Sequence, residues 1–161
     1  MAETTSILFV CLGNICRSPT AQGVFEKQLA ASGLVDRIRV DSAGTGSWHV
    51  GHAPDPRATE AAMEQGVDLR AQRARQVTPD DFHVFDRILA MDHANLADLQ
   101  AMAPDGARAR VELFLGYARL ADVQEVPDPY YGGASGFARV LELIHDASDG
   151  LIRDLRTRLV E

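Results

Sequence analysis

A short apolar run that leads directly into a cysteine-containing loop places the strongest constraint on this fold. Residues 7–10 read Ile-Leu-Phe-Val, β-branched or aromatic at most positions and without polar alternation, as expected of a buried strand in a parallel sheet. After the loop of residues 11–17, apolar side chains recur at the spacing of one helix face: Ala21, Val24, Phe25 and Leu29. The pattern predicts a strand, a tight loop and a helix N-terminus in direct succession.

The 11–17 loop has the residues of an anion site with a nucleophile at its floor. Backbone N–H groups and the positive end of the helix dipole converge in such a loop. Helix N-termini and nearby arginines favour the thiolate form of a cysteine, so Cys11 is the predicted nucleophile. Arg17 offers a planar fork that matches two phosphate oxygens. Ser18 follows at once and is placed to hydrogen-bond the sulfur.

Length and composition narrow the class of protein. The chain has 161 residues and a net charge of −7, which favours one domain over residues 1–161 and argues against a nucleic-acid-binding surface. No stretch reaches the length of a membrane span. Both cysteines lie in the loop, so a reducing, cytoplasmic setting is expected, with non-classical export left open. We expect a monomer or weak homodimer and no metal or cofactor.

The rest of the chain alternates predicted strands and helices. Strands are expected over residues 37–40, 87–91 and 110–114, with a helical turn as the alternative for 110–114, and a small-residue loop is expected over 41–46. Helices are expected over residues 57–65, after caps at Thr78 and Asp92, and through a long C-terminal segment that Gly150 weakens. This alternation is typical of an α/β, doubly wound parallel sheet whose ligand-binding loops share one edge.

A second site segment lies far along the chain. Asp128 stands between Pro127 and Pro129, which restrict the backbone on both sides. The leaving group of a phosphate ester departs more easily when its oxygen is protonated. Asp128 is therefore the candidate general acid. The alternative is an ordinary Asp-Pro turn.

The stretch Cys-Leu-Gly-Asn-Ile-Cys-Arg-Ser-Pro from Cys11 resembles the low-molecular-weight protein tyrosine phosphatases, and Asp-Pro-Tyr-Tyr-Gly from Asp128 resembles their general-acid loop. The resemblance implies a single-domain, four-stranded parallel sheet with helices on both faces. It implies hydrolysis of protein phosphotyrosine through a cysteinyl-phosphate intermediate, with phosphotyrosine-containing proteins as partners.

The resemblance also assigns supporting roles. Asn14 and Ser42 would brace the loop. Independently of the resemblance, the sequence predicts that Asp92 caps a helix beside the site. Cys16 either only packs within the loop or, as the resemblance implies, would trap oxidised Cys11 as a reversible disulfide. Gln72 appears where the family often has a histidine that bonds the loop asparagine. Substrate-binding roles fall on the loop and the pocket walls: Leu12, Gly13, Asn14, Ile15, Cys16, Ser18, Trp48, Tyr130 and Tyr131.

Three other readings compete with this one. An arsenate reductase of the same fold would need further cysteines after Cys16, and the sequence has none. A zinc module could draw on Cys11, Cys16, His49 and His52, although Arg17 would be an unfavourable neighbour for a cation. A non-catalytic phosphotyrosine binder would leave the nucleophile, the arginine and the acid unused.

Overall fold

Four parallel strands form the centre of the molecule. The computed structural model describes residues 4–129 and 134–159. Its sheet has the order β2-β1-β3-β4, with every neighbouring pair parallel. The strands are β1 (Thr5–Cys11), β2 (Ile38–Gly44), β3 (Arg87–Ala90) and β4 (Arg110–Leu113). Their carboxyl ends share one edge of the sheet, so the loops that follow them meet there.

Helices cover both faces of this sheet. They are α1 (Arg17–Ser32), α2 (Pro56–Glu64), α3 (Asp81–Val84), α4 (His93–Met102) and α5 (Ala134–Leu159), with a 3₁₀ turn over Phe114–Tyr117. Alternate residues of β1 point to opposite faces. Phe9 therefore packs with α1 and α5, whereas Leu8 packs with α3 and α4. The predicted doubly wound α/β fold is confirmed.

Two local predictions were wrong, the first because of main-chain pairing and the second because of a side-chain contact. Strand β2 continues to Gly44, through part of the predicted loop over 41–46, since its last residues pair with the end of β1. Thr78 does not cap α3, whose N-cap is Asp80. Instead, the Thr78 N–H donates to Asp81 at 2.8 Å. The predicted cap at Asp92 is confirmed: it accepts from the N–H of Asn95 at 2.7 Å.

Helix α5 runs unbroken through Gly150. A Cβ atom there would lie 1.7 Å from the carbonyl oxygen of Tyr117. The glycine thus allows the helix to approach the 3₁₀ turn. No helix within residues 4–129 and 134–159 is long and apolar enough to cross a membrane.

Candidate active site

The 11–17 loop wraps around the sulfur of Cys11. This residue ends β1 and is 3% exposed. Its Sγ lies 3.0 Å from the Ser18 Oγ and accepts the N–H of Asn14 at 3.3 Å. Asn14 has a φ of 57°, the one left-handed non-glycine residue in the described ranges. Asparagine tolerates this conformation, which turns the chain sharply around the sulfur.

Arg17 links the loop to two other elements. It is 3% exposed, and its Nη1 donates to Asp92 Oδ2 at 2.7 Å and to the Val126 oxygen at 3.0 Å. Its Nη2 lies 3.7 Å from Asp128 Oδ2. Burial alone would lower the pKa of Arg17, but the charges of Cys11 and Asp92 outweigh it and raise the pKa. A permanent positive charge therefore stands beside the sulfur.

The side-chain amide of Asn14 braces the loop from behind. Its Nδ2 donates to Ser18 Oγ at 2.8 Å and to Ser42 Oγ at 3.0 Å. Its Oδ1 accepts the main-chain N–H of Arg75 at 3.0 Å. Ser42, in turn, donates its hydroxyl proton to Gln22 Oε1 at 2.8 Å.

This arrangement decides where the Ser18 proton goes. Because Ser18 accepts from Asn14, its single proton is free for another acceptor. Cys11 Sγ lies at 3.0 Å, nearer than the alternative acceptor, the Ala43 oxygen at 3.4 Å. The geometry therefore favours donation from Ser18 to the sulfur, which stabilises negative charge there.

Asp128 reaches the same cavity from the segment that precedes α5. Two residues before it, the fully buried Val126 donates its N–H to the Met91 oxygen at 2.8 Å. Pro127 and Pro129 restrict the backbone on either side. The Asp128 side chain is 43% exposed, so a restrained carboxyl group stands at the mouth of the site.

One cavity of about 410 Å³ joins these groups. It contains His49, which the sequence suggested only as a zinc ligand. Trp48 stands at its rim with 69% of its surface exposed, which excludes a core role. Tyr130 and Tyr131 lie outside the described residues. The lining residues are Cys11, Leu12, Gly13, Ile15, Cys16, Arg17, Trp48, His49 and Asp128.

Cys16 sits at the start of α1 and is 6% exposed. Burial, reinforced by the negative charges of Asp55, Cys11 and Asp128, raises the pKa of the Cys16 thiol to about 12. Both cysteines are free. At neutral pH, Cys16 is thus a protonated thiol beside the sulfur of Cys11.

Gln72 does not take the place of the expected histidine. Its Nε2 donates to the Pro19 oxygen at 3.0 Å, so it supports the first turn of α1. The contact with Asn14 Oδ1 comes from the main chain of Arg75 instead. Since every residue but proline offers a backbone N–H, the sequence contains no signal for this contact.

The four residues considered as zinc ligands do not form a metal site; they are Cys11, Cys16, His49 and His52. The rings of His49 and His52 are 5.8 Å apart between centroids. Across the part of the chain that the structure describes, no three His, Cys, Asp or Glu side chains are grouped to hold a metal ion.

Known proteins match almost the whole chain. The model of one family, described as low molecular weight phosphotyrosine protein phosphatase, matches residues 6–160. A putative low molecular weight protein-tyrosine-phosphatase of Synechocystis is 46% identical and covers 96% of this chain and 98% of its own. The low molecular weight phosphotyrosine protein phosphatase of Schizosaccharomyces pombe is 42% identical, and the match covers 96% of this chain and 99% of that protein. A crystal structure of a protein tyrosine phosphatase from Entamoeba histolytica, with Hepes in the active site, matches with a TM-score of 0.92 and 38% sequence identity. The match covers 96% of this chain and 98% of that chain.

Proposed function

The chain belongs to the low molecular weight phosphotyrosine protein phosphatase family, and we propose that it hydrolyses phosphotyrosine in proteins, and small aryl phosphates, through a cysteinyl-phosphate intermediate. One observation carries the mechanism: Cys11, Arg17 and Asp128 line a single cavity. A nucleophile, a fixed cation and an acid are the groups that two-step ester hydrolysis needs.

In the first step, the substrate phosphoryl group sits in the 11–17 loop, held by backbone N–H groups and the guanidinium of Arg17. The Cys11 thiolate attacks phosphorus, the S–P bond forms and the ester P–O bond breaks. Asp128, protonated, gives its proton to the departing phenolate oxygen. Arg17 is already oriented by Asp92 and Val126, so little reorganisation is needed as charge moves onto the phosphoryl oxygens.

In the second step, water attacks the phosphocysteine. The Asp128 carboxylate takes the proton of this water, the S–P bond breaks and inorganic phosphate leaves. The sulfur departs as a thiolate, and the Ser18 hydroxyl at 3.0 Å supplies a hydrogen bond to it. This contact supports a role for Ser18 in making Cys11 a better leaving group.

The cavity walls support a preference for aryl phosphates. The sulfur lies at the cavity floor, while the apolar side chains of Leu12 and Trp48 remain 43% and 69% exposed at the cavity surface. A tyrosine ring carries its phosphate far enough to reach such a floor while its faces contact apolar walls. An alkyl phosphate on a short side chain makes fewer of these contacts.

We also propose that Cys16 protects the nucleophile from irreversible oxidation. Peroxide would convert the Cys11 thiolate to a sulfenic acid, and the Cys16 thiol would displace its hydroxyl as water to give a disulfide. This chemistry suits a reducing, cytoplasmic setting. The family match over residues 6–160 supports treating residues 1–161 as one domain.

The mechanism is tested by hydrolysis of phenyl phosphate at mildly acidic pH with chelator and reductant present. Cys11→Ser should abolish turnover. Asp128→Ala should lower kcat by roughly 10²–10⁴-fold, the usual contribution of a general acid or base. Asp122→Ala, an exposed acid earlier in the same connecting segment, is the matched control and should retain activity.

Two further results decide the outcome. The loss in Asp128→Ala should shrink with p-nitrophenyl phosphate, whose leaving group needs less protonation, if Asp128 protonates the leaving oxygen. Activity that survives Cys11→Ser would refute the proposed nucleophile. A wild-type protein that binds phosphotyrosine peptides without turnover would instead establish the non-catalytic binder.

A further inference from the structure

Residues 74–77 form a connecting segment whose main chain meets the braced loop. The Arg75 N–H donates to Asn14 Oδ1 at 3.0 Å. The Arg75 oxygen accepts the N–H of Gly44, the last residue of β2, at 2.9 Å, and the Val77 N–H donates to the Gly44 oxygen at 2.9 Å. The segment thus joins the 11–17 loop to the carboxyl end of β2.

The same segment holds one wall of the cavity. The Ala74 N–H donates to the His52 oxygen at 2.8 Å, and the Gly51 N–H donates to the Ala74 oxygen at 2.8 Å. These bonds fix the loop that carries Trp48 and His49. Residues 74–77 therefore position the cavity floor and a cavity wall together.

The side chain of Arg75 anchors this segment to the body of the protein. Its Nη1 and Nη2 donate to the two carboxylate oxygens of Asp81 at 3.0 and 3.2 Å, a bidentate pair. Its Nε donates to Asp41 Oδ2, on β2, at 3.1 Å. Asp81 is 7% exposed and is itself held by the Thr78 N–H. Because all three of these nitrogens are engaged, the position of the Arg75 backbone is closely defined.

The chemical consequence lies in the orientation of the Asn14 amide. An amide turned over would set its NH₂ group against the Arg75 N–H, two donors facing each other, and its oxygen against Ser18 and Ser42. The Arg75 N–H thus selects the orientation in which Asn14 donates to both hydroxyls. In that orientation, Ser18 retains its own proton for the sulfur of Cys11.

We propose that Arg75 is a positioning residue for the phosphatase reaction. Its clamp on Asp81 and Asp41 holds its N–H against Asn14, and Asn14 keeps Ser18 donating to the Cys11 sulfur. Arg75 touches neither the substrate nor the sulfur. The inference rests on the proposed function, since it requires Cys11 to be the nucleophile and leaving group.

The test is steady-state kinetics on p-nitrophenyl phosphate, with unfolding curves to verify that each variant is folded. Arg75→Ala should lower kcat about tenfold or more, with a smaller change in KM, since an aligned hydrogen bond to a charged sulfur is lost. Asp81→Asn should give an intermediate loss. Arg73→Ala is the matched control, because its exposed guanidinium bonds only the Arg70 and Gln72 oxygens among the described residues, and it should keep wild-type kcat.

A double-mutant cycle with Ser18→Ala separates positioning from general stability. If Arg75 acts through Ser18, then Arg75→Ala should cost little further kcat in the Ser18→Ala background. Should Arg75→Ala fail to fold, Arg75→Lys takes its place in the cycle, since lysine keeps the charge but not the fork.

Two outcomes overturn the inference. The first is a folded Arg75 variant with kcat within twofold of wild type. The second is an Arg75→Ala variant that lowers kcat by the same factor in the Ser18→Ala background as in the wild-type background. Either result, in a protein whose wild type turns over and whose Cys11→Ser variant does not, refutes the role of Arg75 and leaves the proposed function standing. An inactive wild type, or an active Cys11→Ser variant, refutes the proposed function itself.

Discussion

Cys11 and Cys16, five positions apart, line the same cavity but differ in their hydrogen bonds and in the charges around them. Cys11 faces the cavity and accepts hydrogen bonds. Cys16 has a pKa raised to about 12 by burial and by the charges of Asp55, Cys11 and Asp128. The thiolate is the reactive form of cysteine, so the proposed protective role requires the neutral Cys16 thiol to react only with an oxidised, electrophilic Cys11 sulfur.

Peroxide treatment tests this division of roles. Each enzyme is oxidised, reduced with dithiothreitol and compared with its own untreated activity. The wild type should recover most of its activity, because a disulfide is reducible, whereas Cys16→Ala should recover a small fraction, because its sulfenic acid oxidises further. Equal recovery in the two enzymes would contradict a protective role for Cys16.

At this scale, candidate site residues with distinctive side chains can be predicted from the sequence. Cys11, Arg17 and Asp128 were identified from spacing, from proline context and from a family resemblance, and they line one cavity. Arg75 and Val126 could not be found in this way, because main-chain atoms make their contacts with Asn14 and Arg17. A backbone N–H or carbonyl group carries no residue-type signal.

At the scale of elements, α5 contains a glycine whose replacement should act against the usual rule. In a helix interior, Gly→Ala normally stabilises a protein by roughly 0.5–1 kcal/mol. In Gly150→Ala, the new methyl group would clash with the Tyr117 carbonyl, which is backbone and cannot turn aside. We expect a loss of about 1–3 kcal/mol in the free energy of unfolding, measured with urea.

The matched control for Gly150→Ala lies in the same helix. A Cβ atom at Gly136 would be 3.7 Å from the Cβ of Pro129, an ordinary contact. Gly136→Ala should therefore be neutral or slightly stabilising. A stabilising Gly150→Ala substitution would show that α5 does not approach the 3₁₀ turn as closely as the structure indicates.

An ion pair between β3 and α5 gives a pH-dependent stability. Arg87 is 4% exposed and donates to Asp154 Oδ2 at 2.7 Å. Burial acts to raise the pKa of Asp154, but hydrogen bonds from Arg87 and Arg158 outweigh it and lower the pKa. A lowered pKa means that this stability is present above the ordinary Asp pKa of about 3.9 and is lost as the pH falls below it.

Asp154→Asn isolates that contribution. At neutral pH, the variant should be less stable than wild type by on the order of 1 kcal/mol, since Asp154 is partly exposed and solvent screens the pair. The difference should shrink as urea unfolding is repeated at lower pH. A difference that stays constant through this range would exclude the ion pair as its source.

Element boundaries were predictable where side-chain pattern sets them and unpredictable where pairing does. Helix α1 ends at a glycine, the residue that most often stops a helix: Gly33 lies in the left-handed region at φ 73°. Strand β2 extends to Gly44 because parallel pairing with β1 continues through small residues, which carry little strand propensity.

At the scale of the whole molecule, anion binding should raise the free energy of unfolding. Arg17 contacts Asp92 and Val126, so the loop that would hold phosphate is tied to α4 and to the Asp128 segment. Inorganic phosphate at about one hundred times its Kd should raise the free energy of unfolding by about 2.7 kcal/mol. In Arg17→Met, this gain should largely vanish, and urea unfolding with and without phosphate measures both.

The architecture could be predicted because strand and helix patterns alternate along the chain, and parallel pairing then leaves few topologies. The cavity could not, because it depends on where distant loops end. A large aromatic side chain suits a core as well as a pocket rim, and only the structure shows that Trp48 stands exposed at the rim.

The edge strands of the sheet, β4 and β2, affect how readily copies of the protein aggregate at high concentration. Strand β4 is only four residues long and carries the ion pair Arg110–Glu112. On the outer side of β2, an isolated bridge from Gln76 already occupies Gly44, and the exposed Arg39 and partly exposed Asp41 precede it. An incoming strand from another copy would have to desolvate these charges or displace that bridge. The short strand, the charges and the bridge therefore discourage edge-to-edge aggregation.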